Sequence, residues 1–294
     1  MESQSVDSPL VIASLIVLGI LGASLCLWIR QIRRPRSEFA PEPGVAAWPI
    51  GWVNFGIFLC TVVASIFFIQ YFAVTLFFDA PSDSESPREL TPWLAVFGVL
   101  LLQLPMLAAF YGLRHFYPGQ FAARLNERAL SPLGAGKQAL IYFFQYLPIV
   151  WLAALLWTAL LRVLESIGLI DGMEPQELLQ LFQAGGDPLA IGLLVVMAVV
   201  LAPIVEEIIF RGCLYRFLKS QTTVLAAQIL SGVLFSLMHN NLFSFFPLLI
   251  FGVLLARVYE RSGNLLVPIW LHAFFNGFSL LMLYLTSLSE FVPQ

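Results

Sequence analysis

Residues 188–211 read PLAIGLLVVMAVVLAPIVEEIIFR, an apolar run that ends in two adjacent glutamates and an arginine. A transmembrane helix needs about 20 predominantly apolar residues, and this run is long enough. An ionised side chain inside a bilayer costs about 2.5 to 3.5 kcal/mol on insertion scales, and such residues commonly have a function. The stretch therefore predicts a membrane protein whose first candidate functional residues are Glu206 and Glu207.

The composition of the whole chain agrees with a lipid environment. Of its 294 residues, 59% are hydrophobic and 11% are charged, and the mean hydropathy is +0.86. Soluble domains average about 25% charged residues. The three cysteines are odd in number and lie in or beside apolar runs, so no disulfide framework is expected. The composition leaves little room for a soluble domain.

Eight apolar segments are bounded by charged or turn residues, which predicts an all-α, polytopic membrane helix bundle with about eight transmembrane spans. Basic residues follow the odd-numbered segments and acidic residues fill the alternate loops, so the positive-inside rule places both termini outside the cytoplasm. The predicted spans cover residues 9–29, 50–78, 92–113, 139–163, 188–210, 222–238, 243–259 and 264–286.

The two adjacent glutamates should have different roles. Neighbouring residues on a helix point about 100° apart, so Glu206 and Glu207 face different surroundings. Arg211 follows Glu207 by four residues, the spacing at which side chains on one helix face meet, and we expect an ion pair there. Glu206 is then free to act as a general base. A competing interpretation is that these charges only mark the cytoplasmic end of the span.

Two histidines, His239 and His272, fall in or at the end of apolar segments. One intramembrane imidazole often serves helix packing, but two imidazoles and a glutamate pair favour a shared site. At 1.5 Å per residue, Glu206 and His239 lie about 22 and 27 Å from the turn that joins their helices, a similar depth. Asn276 shares a helix face with His272, and Phe235 shares one with His239.

Together these residues form three spaced motifs: Glu-Glu-x-x-x-Arg at 206–211, Phe-x-x-x-His at 235–239 and His-x-x-x-Asn at 272–276. The pattern resembles the CPBP intramembrane proteases, the family of CAAX prenyl endopeptidases and bacteriocin-processing enzymes. The resemblance covers residues 188–285, which we interpret as a protease core. Residues 1–187 are interpreted as N-terminal transmembrane helices without a family motif.

The resemblance implies an intramembrane endopeptidase that hydrolyses a peptide bond with a glutamate-activated water. Its implied catalytic residues are Glu206, His239, His272 and Asn276, and its implied supporting residues are Glu207, Arg211 and Phe235. Both a metal-dependent and a purely glutamate-dependent mechanism stay open. Glu206, His239 and His272 are the candidate ligands if zinc is the cofactor.

Two other functions remain as alternatives: a catalytically silent immunity or scaffold protein of the same fold, and a proton-coupled transporter. A transporter often shows repeated halves, and this sequence shows no such repeat. The expected partners are the lipid bilayer and a peptide or prenylated-peptide substrate, with no nucleic acid. The expected location is a bacterial inner membrane, with the active site open to the cytoplasm.

Overall fold

The structure, a computed structural model, describes residues 8–33, 44–77, 91–121, 125–170 and 186–290. Within these ranges it contains nine helices and no β-strand, which confirms the predicted all-α membrane bundle. The helices are α1 (Ser8–Ile32), α2 (Trp52–Phe77), α3 (Pro92–Phe116), the single turn α4 (Pro118–Phe121), α5 (Pro132–Ser166), α6 (Pro188–Gln221), α7 (Val224–Leu237), α8 (Phe245–Ser262) and α9 (Leu266–Glu290).

Six of the described helices are long and apolar enough to cross a membrane, rather than the eight predicted. Each of the eight predicted segments overlaps a described helix, but the two at 222–238 and 243–259 differ from full spans. Helix α7 has 14 residues and is about 21 Å long, less than the roughly 30 Å of a hydrocarbon core. Helix α8 carries Arg257, Glu260 and Arg261 near its end. These two helices form a shorter hairpin beside the six spans.

Three of the long helices begin with the same local signal, a capping residue followed by proline. Thr91, Ser131 and Asp187 each accept a hydrogen bond from a backbone N–H of the first turn. Proline suits the next position because its missing N–H has no partner there in any helix. Hydrogen bonds from Trp93 and the Leu189 N–H hold the pKa of Asp187 below its ordinary value.

Helix α6 lies at the centre of the bundle. It packs against α3 on one side and against α7, α8 and α9 on the others. Its buried apolar residues contribute to the core clusters that also include residues of α2, α3 and α5. The N-terminal helices therefore pack directly on the helices that carry the three motifs.

Near Gln221, side chains at the end of α6 hydrogen-bond to a connecting segment, residues 44–51, which we call the strap. Lys219 Nζ donates to Val45 O at 2.7 Å and to Glu260 Oε1 at 2.5 Å. Arg216 Nε donates to Ala46 O at 2.6 Å. These bonds attach the segment between α1 and α2 to the end of α6.

Candidate active site

The two glutamates lie at the middle of α6, where the helix changes its winding. Ala202–Glu207 is α-helical, whereas Met197–Leu201 before it and Ile208–Tyr215 after it are π-helical. Single π-helical turns are rare and occur frequently at functional sites. The two side chains diverge as predicted: Glu206 contacts Gln103 of α3, and Glu207 contacts Arg211 of its own helix and His272 of α9.

Glu207 is fully buried and connects two of the motifs. Its Oε1 accepts from Arg211 Nη1 at 2.9 Å, so the predicted ion pair is present. The same oxygen lies 3.0 Å from His272 Nδ1. Arg211, also fully buried, donates from Nη2 to Gly252 O at 3.1 Å. Glu207 is therefore held by two helices and is unsuited to a mobile catalytic role.

His272 is oriented by this contact. A carboxylate paired with an arginine accepts hydrogen bonds, so Nδ1 of His272 is the donor to Glu207. The opposite ring nitrogen, Nε2, then points towards Glu206 and lies 3.9 Å from its Oε2. One glutamate thus fixes the imidazole, and the other faces its free nitrogen.

Phe235 occupies the centre of the site and is completely buried. Its ring centroid lies 4.7 Å from that of His239 and 5.8 Å from that of His272, and both contacts are edge-to-face. Arg211 Cζ lies 4.5 Å from the same centroid, within the range of a cation–π contact. The two intramembrane histidines are therefore brought to one aromatic ring, in agreement with the expected convergence.

His239 lies just beyond the end of α7, in a turn where Asn240 adopts a positive φ of 46°. Its Nδ1 is 2.8 Å from Phe235 O. A carbonyl oxygen only accepts, so Nδ1 carries the hydrogen and Nε2 of a neutral ring has a free lone pair. His239 forms no hydrogen bond or ion pair with Glu206 among the described residues.

Asn276 repairs a gap in the hydrogen bonding of α6. In a π-helix, the N–H of residue 203 would bond to the carbonyl of Ala198, but Pro203 has no N–H. Asn276 Nδ2 donates to Ala198 O at 2.8 Å instead. One amide hydrogen is thereby used for structure, and the second remains for another acceptor.

Gln103 of α3 is a site residue that the sequence analysis missed. It is 4% exposed, and its Nε2 donates to Glu206 Oε1 at 3.4 Å. A signal was available, because Gln103 is the only amide or charged side chain between residues 92 and 113. The spacing of motifs within residues 188–285 could not reveal a partner from an earlier helix.

The candidate zinc ligands do not form a metal site as the structure places them. Among the described residues there is no group of three or more His, Cys, Asp or Glu side chains arranged to hold a metal ion. Glu206 and His272 are neighbours, whereas His239 forms no hydrogen bond or ion pair with either of them among the described residues. A three-ligand zinc centre would require these side chains to move together.

Comparison with known proteins adds independent information about this region. Residues 188–278 match the family model described as type II CAAX prenyl endopeptidase, Rce1-like. The resemblance expected from the three motifs is confirmed over this segment. Every residue of the site except Gln103 lies within the matched range.

Two curated bacterial proteins are similar to part of the chain. "Putative membrane peptidase YdiL" of Bacillus subtilis is 31% identical over 93 residues, which cover 32% of this chain and 38% of that protein. The UPF0177 protein YbdI of Lactococcus lactis is 37% identical over 82 residues, covering 28% and 44%. The matched segment thus spans about two fifths of each relative. No solved structure matches the chain.

Proposed function

We propose that this protein is a membrane-embedded endopeptidase that cleaves a membrane-associated or lipid-modified peptide, with Glu206 as the general base. The proposal rests on the difference in burial and in bonding between the two glutamates. Glu207 is fully buried and its Oε1 is held by Arg211 and His272, whereas the Glu206 side chain is 16% exposed and has only a 3.4 Å contact from Gln103 and a 3.9 Å approach of His272 Nε2. Glu206 is therefore the carboxylate that a water molecule can approach.

In the proposed reaction, Glu206 takes a proton from water as the water oxygen attacks the scissile carbonyl carbon. The carbonyl oxygen becomes an oxyanion, which His272 Nε2 and the second amide hydrogen of Asn276 would stabilise. Glu206 then gives its proton to the leaving amine, and the C–N bond breaks. Because His272 Nδ1 already donates to Glu207, His272 serves the oxyanion only when Nε2 also carries a hydrogen.

His239 is assigned to the substrate peptide rather than to the oxyanion. Its Nε2 accepts a hydrogen bond when the ring is neutral, and its Nδ1 is fixed on Phe235 O. An acceptor at this position can hold a backbone N–H of the substrate and so orient the scissile peptide bond. No step uses a metal ion, because the three candidate ligands are not assembled. A zinc-dependent reaction would be lost on chelation and restored by added zinc, which provides a direct check.

The test is cleavage by the purified full chain in proteoliposomes. Two peptides of the same sequence, one with a prenylated C-terminal cysteine and one without, separate lipid-modified from simple membrane-associated substrates. Glu206→Gln should lower the rate by at least about 10³-fold, the upper range for loss of a general base. Glu165→Gln, at an exposed glutamate near the end of α5, is the matched control and should keep the wild-type rate.

Equal rates for wild type and Glu206→Gln would overturn the assignment of the base. No cleavage by the wild type in cells or vesicles would instead favour the catalytically silent alternative. Comparing membrane peptides from cells with and without this protein would identify natural substrates. We propose a bacterial inner membrane as the location, with the site open to the cytoplasm.

A further inference from the structure

Helix α3 contributes one polar side chain to the centre of the bundle, and this side chain is only half satisfied. Gln103 Nε2 donates to Glu206 Oε1, but Gln103 Oε1 has no hydrogen-bond partner among the described residues. Burying an acceptor without a donor is destabilising, because the group loses its hydrogen bonds to water. A lone glutamine in an apolar helix is therefore expected to have a second partner.

The other oxygen of the same pair is in the same state. Glu206 Oε2 is buried and also has no hydrogen-bond partner in the described part of the chain, because His272 Nε2 lies 3.9 Å from it, beyond hydrogen-bond distance. The direct contact uses Gln103 Nε2 and Glu206 Oε1. The two oxygens without a partner, Gln103 Oε1 and Glu206 Oε2, therefore belong to side chains that touch each other. Both oxygens are acceptors, and both require a donor from outside the pair.

The chemistry of these two atoms selects water as that donor. A water molecule carries two hydrogens and can satisfy two acceptors at once, and buried waters typically bridge such polar groups. A second pair of unpartnered atoms, Glu207 Oε2 and Arg211 Nε, differs because it contains one acceptor and one donor. Only the Gln103–Glu206 pair, among these unpartnered atoms, offers two acceptors that one molecule with two donor hydrogens can satisfy.

We propose that Gln103 and Glu206 together bind one water molecule, and that this is the water attacking the substrate. The second half of this statement rests on the proposed endopeptidase function. Gln103 accepts one hydrogen of the water, while Glu206 accepts and then removes the other. Fixing both O–H bonds aims a lone pair of the water oxygen at the scissile carbonyl. Gln103 returns unchanged after each turnover.

The proposal gives the N-terminal helices a role in the reaction. Gln103 lies on α3, outside residues 188–278 that match the family model. Half of the water site is then supplied by a helix that carries no motif. The packing of α3 on α6 places the glutamine against Glu206, so the full chain is needed for activity.

The experiment replaces Gln103 in the full chain by methionine, which has similar length but no strong hydrogen-bonding group. Gln145→Met is the matched control, because Gln145 is also buried in a long helix and bonds to Gln31 at 2.9 Å. Gln103→Met should reduce kcat by about 10- to 100-fold with KM within threefold, since positioning and not substrate binding is lost. Gln145→Met should keep the wild-type kcat.

Structures of wild type and Gln103→Met at a resolution that shows ordered solvent give a readout that does not depend on activity. The wild type should hold a water within hydrogen-bond distance of Gln103 Oε1 and Glu206 Oε2, and the variant should lack it. If Gln103→Met does not fold, Gln103→Asn keeps the amide but shortens its reach. It should fold, lose the shared water and show the same fall in kcat.

The outcomes separate this inference from the proposed function. A wild-type kcat in Gln103→Met, combined with an inactive Glu206→Gln, would overturn the role of Gln103 and leave the endopeptidase intact. Absence of the shared water in the wild type would overturn the water site whatever the activity. Loss of all cleavage in the wild type, with the water present and lost in Gln103→Met, would support the water site and contradict the endopeptidase.

Discussion

At the scale of single residues, two adjacent glutamates of the site have different contacts and different proposed roles. Because they point about 100° apart, Glu207 reaches Arg211 and His272 while Glu206 faces Gln103. The sequence alone predicted the split and the Arg211 pair, since both follow from local helix geometry. The contacts with His272 and Gln103 join distant helices, and residue spacing does not encode them.

The Glu207–Arg211 pair should behave as a coupled unit. Arg211→Met leaves a buried carboxylate without its arginine and should cost about 3 to 5 kcal/mol of stability. Glu207→Gln combined with Arg211→Met removes both charges and should be more stable than Arg211→Met alone. The measurement is a double-mutant cycle followed by reversible unfolding in detergent.

Arg162→Met, at an exposed arginine of α5, is the control for this cycle and should change stability by less than about 0.5 kcal/mol. Both variants of the pair should also be slow peptidases, because His272 loses the fixed carboxylate that orients its ring. Additive energies in the cycle would contradict a direct Glu207–Arg211 contact.

At the scale of helices, Asn276 supplies the hydrogen bond that Pro203 cannot form. Pro203 leaves the Ala198 carbonyl without its π-helical donor, and Asn276 of α9 supplies one. The sequence analysis singled out Asn276, but it did not show that this amide compensates for Pro203. That connection depends on the tertiary packing of α9 against α6.

Asn276→Ala should therefore destabilise the protein by about 1 to 3 kcal/mol, the cost of an unsatisfied acceptor. Pro203→Ala restores a backbone N–H near Ala198, so Asn276→Ala should cost less in that background. If Asn276 also stabilises the oxyanion, the double variant stays slow although its stability recovers. Thermal unfolding and cleavage measured on the same four proteins separate the two roles. If Asn276→Ala destabilised the wild type and the Pro203→Ala variant equally, Asn276 would not be compensating for the N–H that Pro203 lacks.

The close approach of α7 and α8 gives a second prediction for the helices. A Cβ on Gly252 would lie 2.9 Å from Gly232 Cα and 3.2 Å from Phe235 Cδ1, so the helices would have to separate. Gly252 O also accepts from Arg211. Gly252→Ala should cost about 1 to 3 kcal/mol, the usual penalty for overpacking, and should lower activity.

Gly56→Ala in α2 is the control for this substitution, because nothing lies within 4 Å of the added Cβ. It should be neutral or slightly stabilising, since alanine favours a helix by up to about 1 kcal/mol. Thermal unfolding in detergent gives both values. A Gly252→Ala protein as stable and as active as Gly56→Ala would show that α7 and α8 can separate without disturbing the site.

At the scale of the whole molecule, the helix positions were predictable and the number of complete spans was not. Long apolar segments are recognised by length and hydropathy alone. The α7–α8 hairpin has the same apolar character, but its first helix is too short to cross a membrane. Hydropathy alone does not show where a helix ends within an apolar segment. The hydrogen bonds from Lys219 and Arg216 to the strap were also not predicted, because they join side chains of α6 to backbone carbonyls far away in the sequence.

The orientation of the bundle in the membrane can be tested by labelling residues at its two opposite ends. Gln221 ends α6 at the basic end, whereas Glu165 lies near the opposite end of α5, and both are exposed. The positive-inside rule places Gln221 in the cytoplasm and Glu165 outside. Single cysteines at these positions are introduced after Cys26→Ala and Cys60→Ala, and the buried Cys213 is kept.

A membrane-impermeant maleimide added to intact spheroplasts should label Glu165→Cys and leave Gln221→Cys unlabelled until the membrane is broken. The parent protein with Cys213 alone should stay unlabelled under both conditions, because that thiol is 2% exposed. The opposite pattern would invert the bundle. Since Glu206 lies about 22 Å from Gln221 along α6, a reversed orientation would also move the proposed entrance to the outer side, although the chemistry at Glu206 would be unchanged.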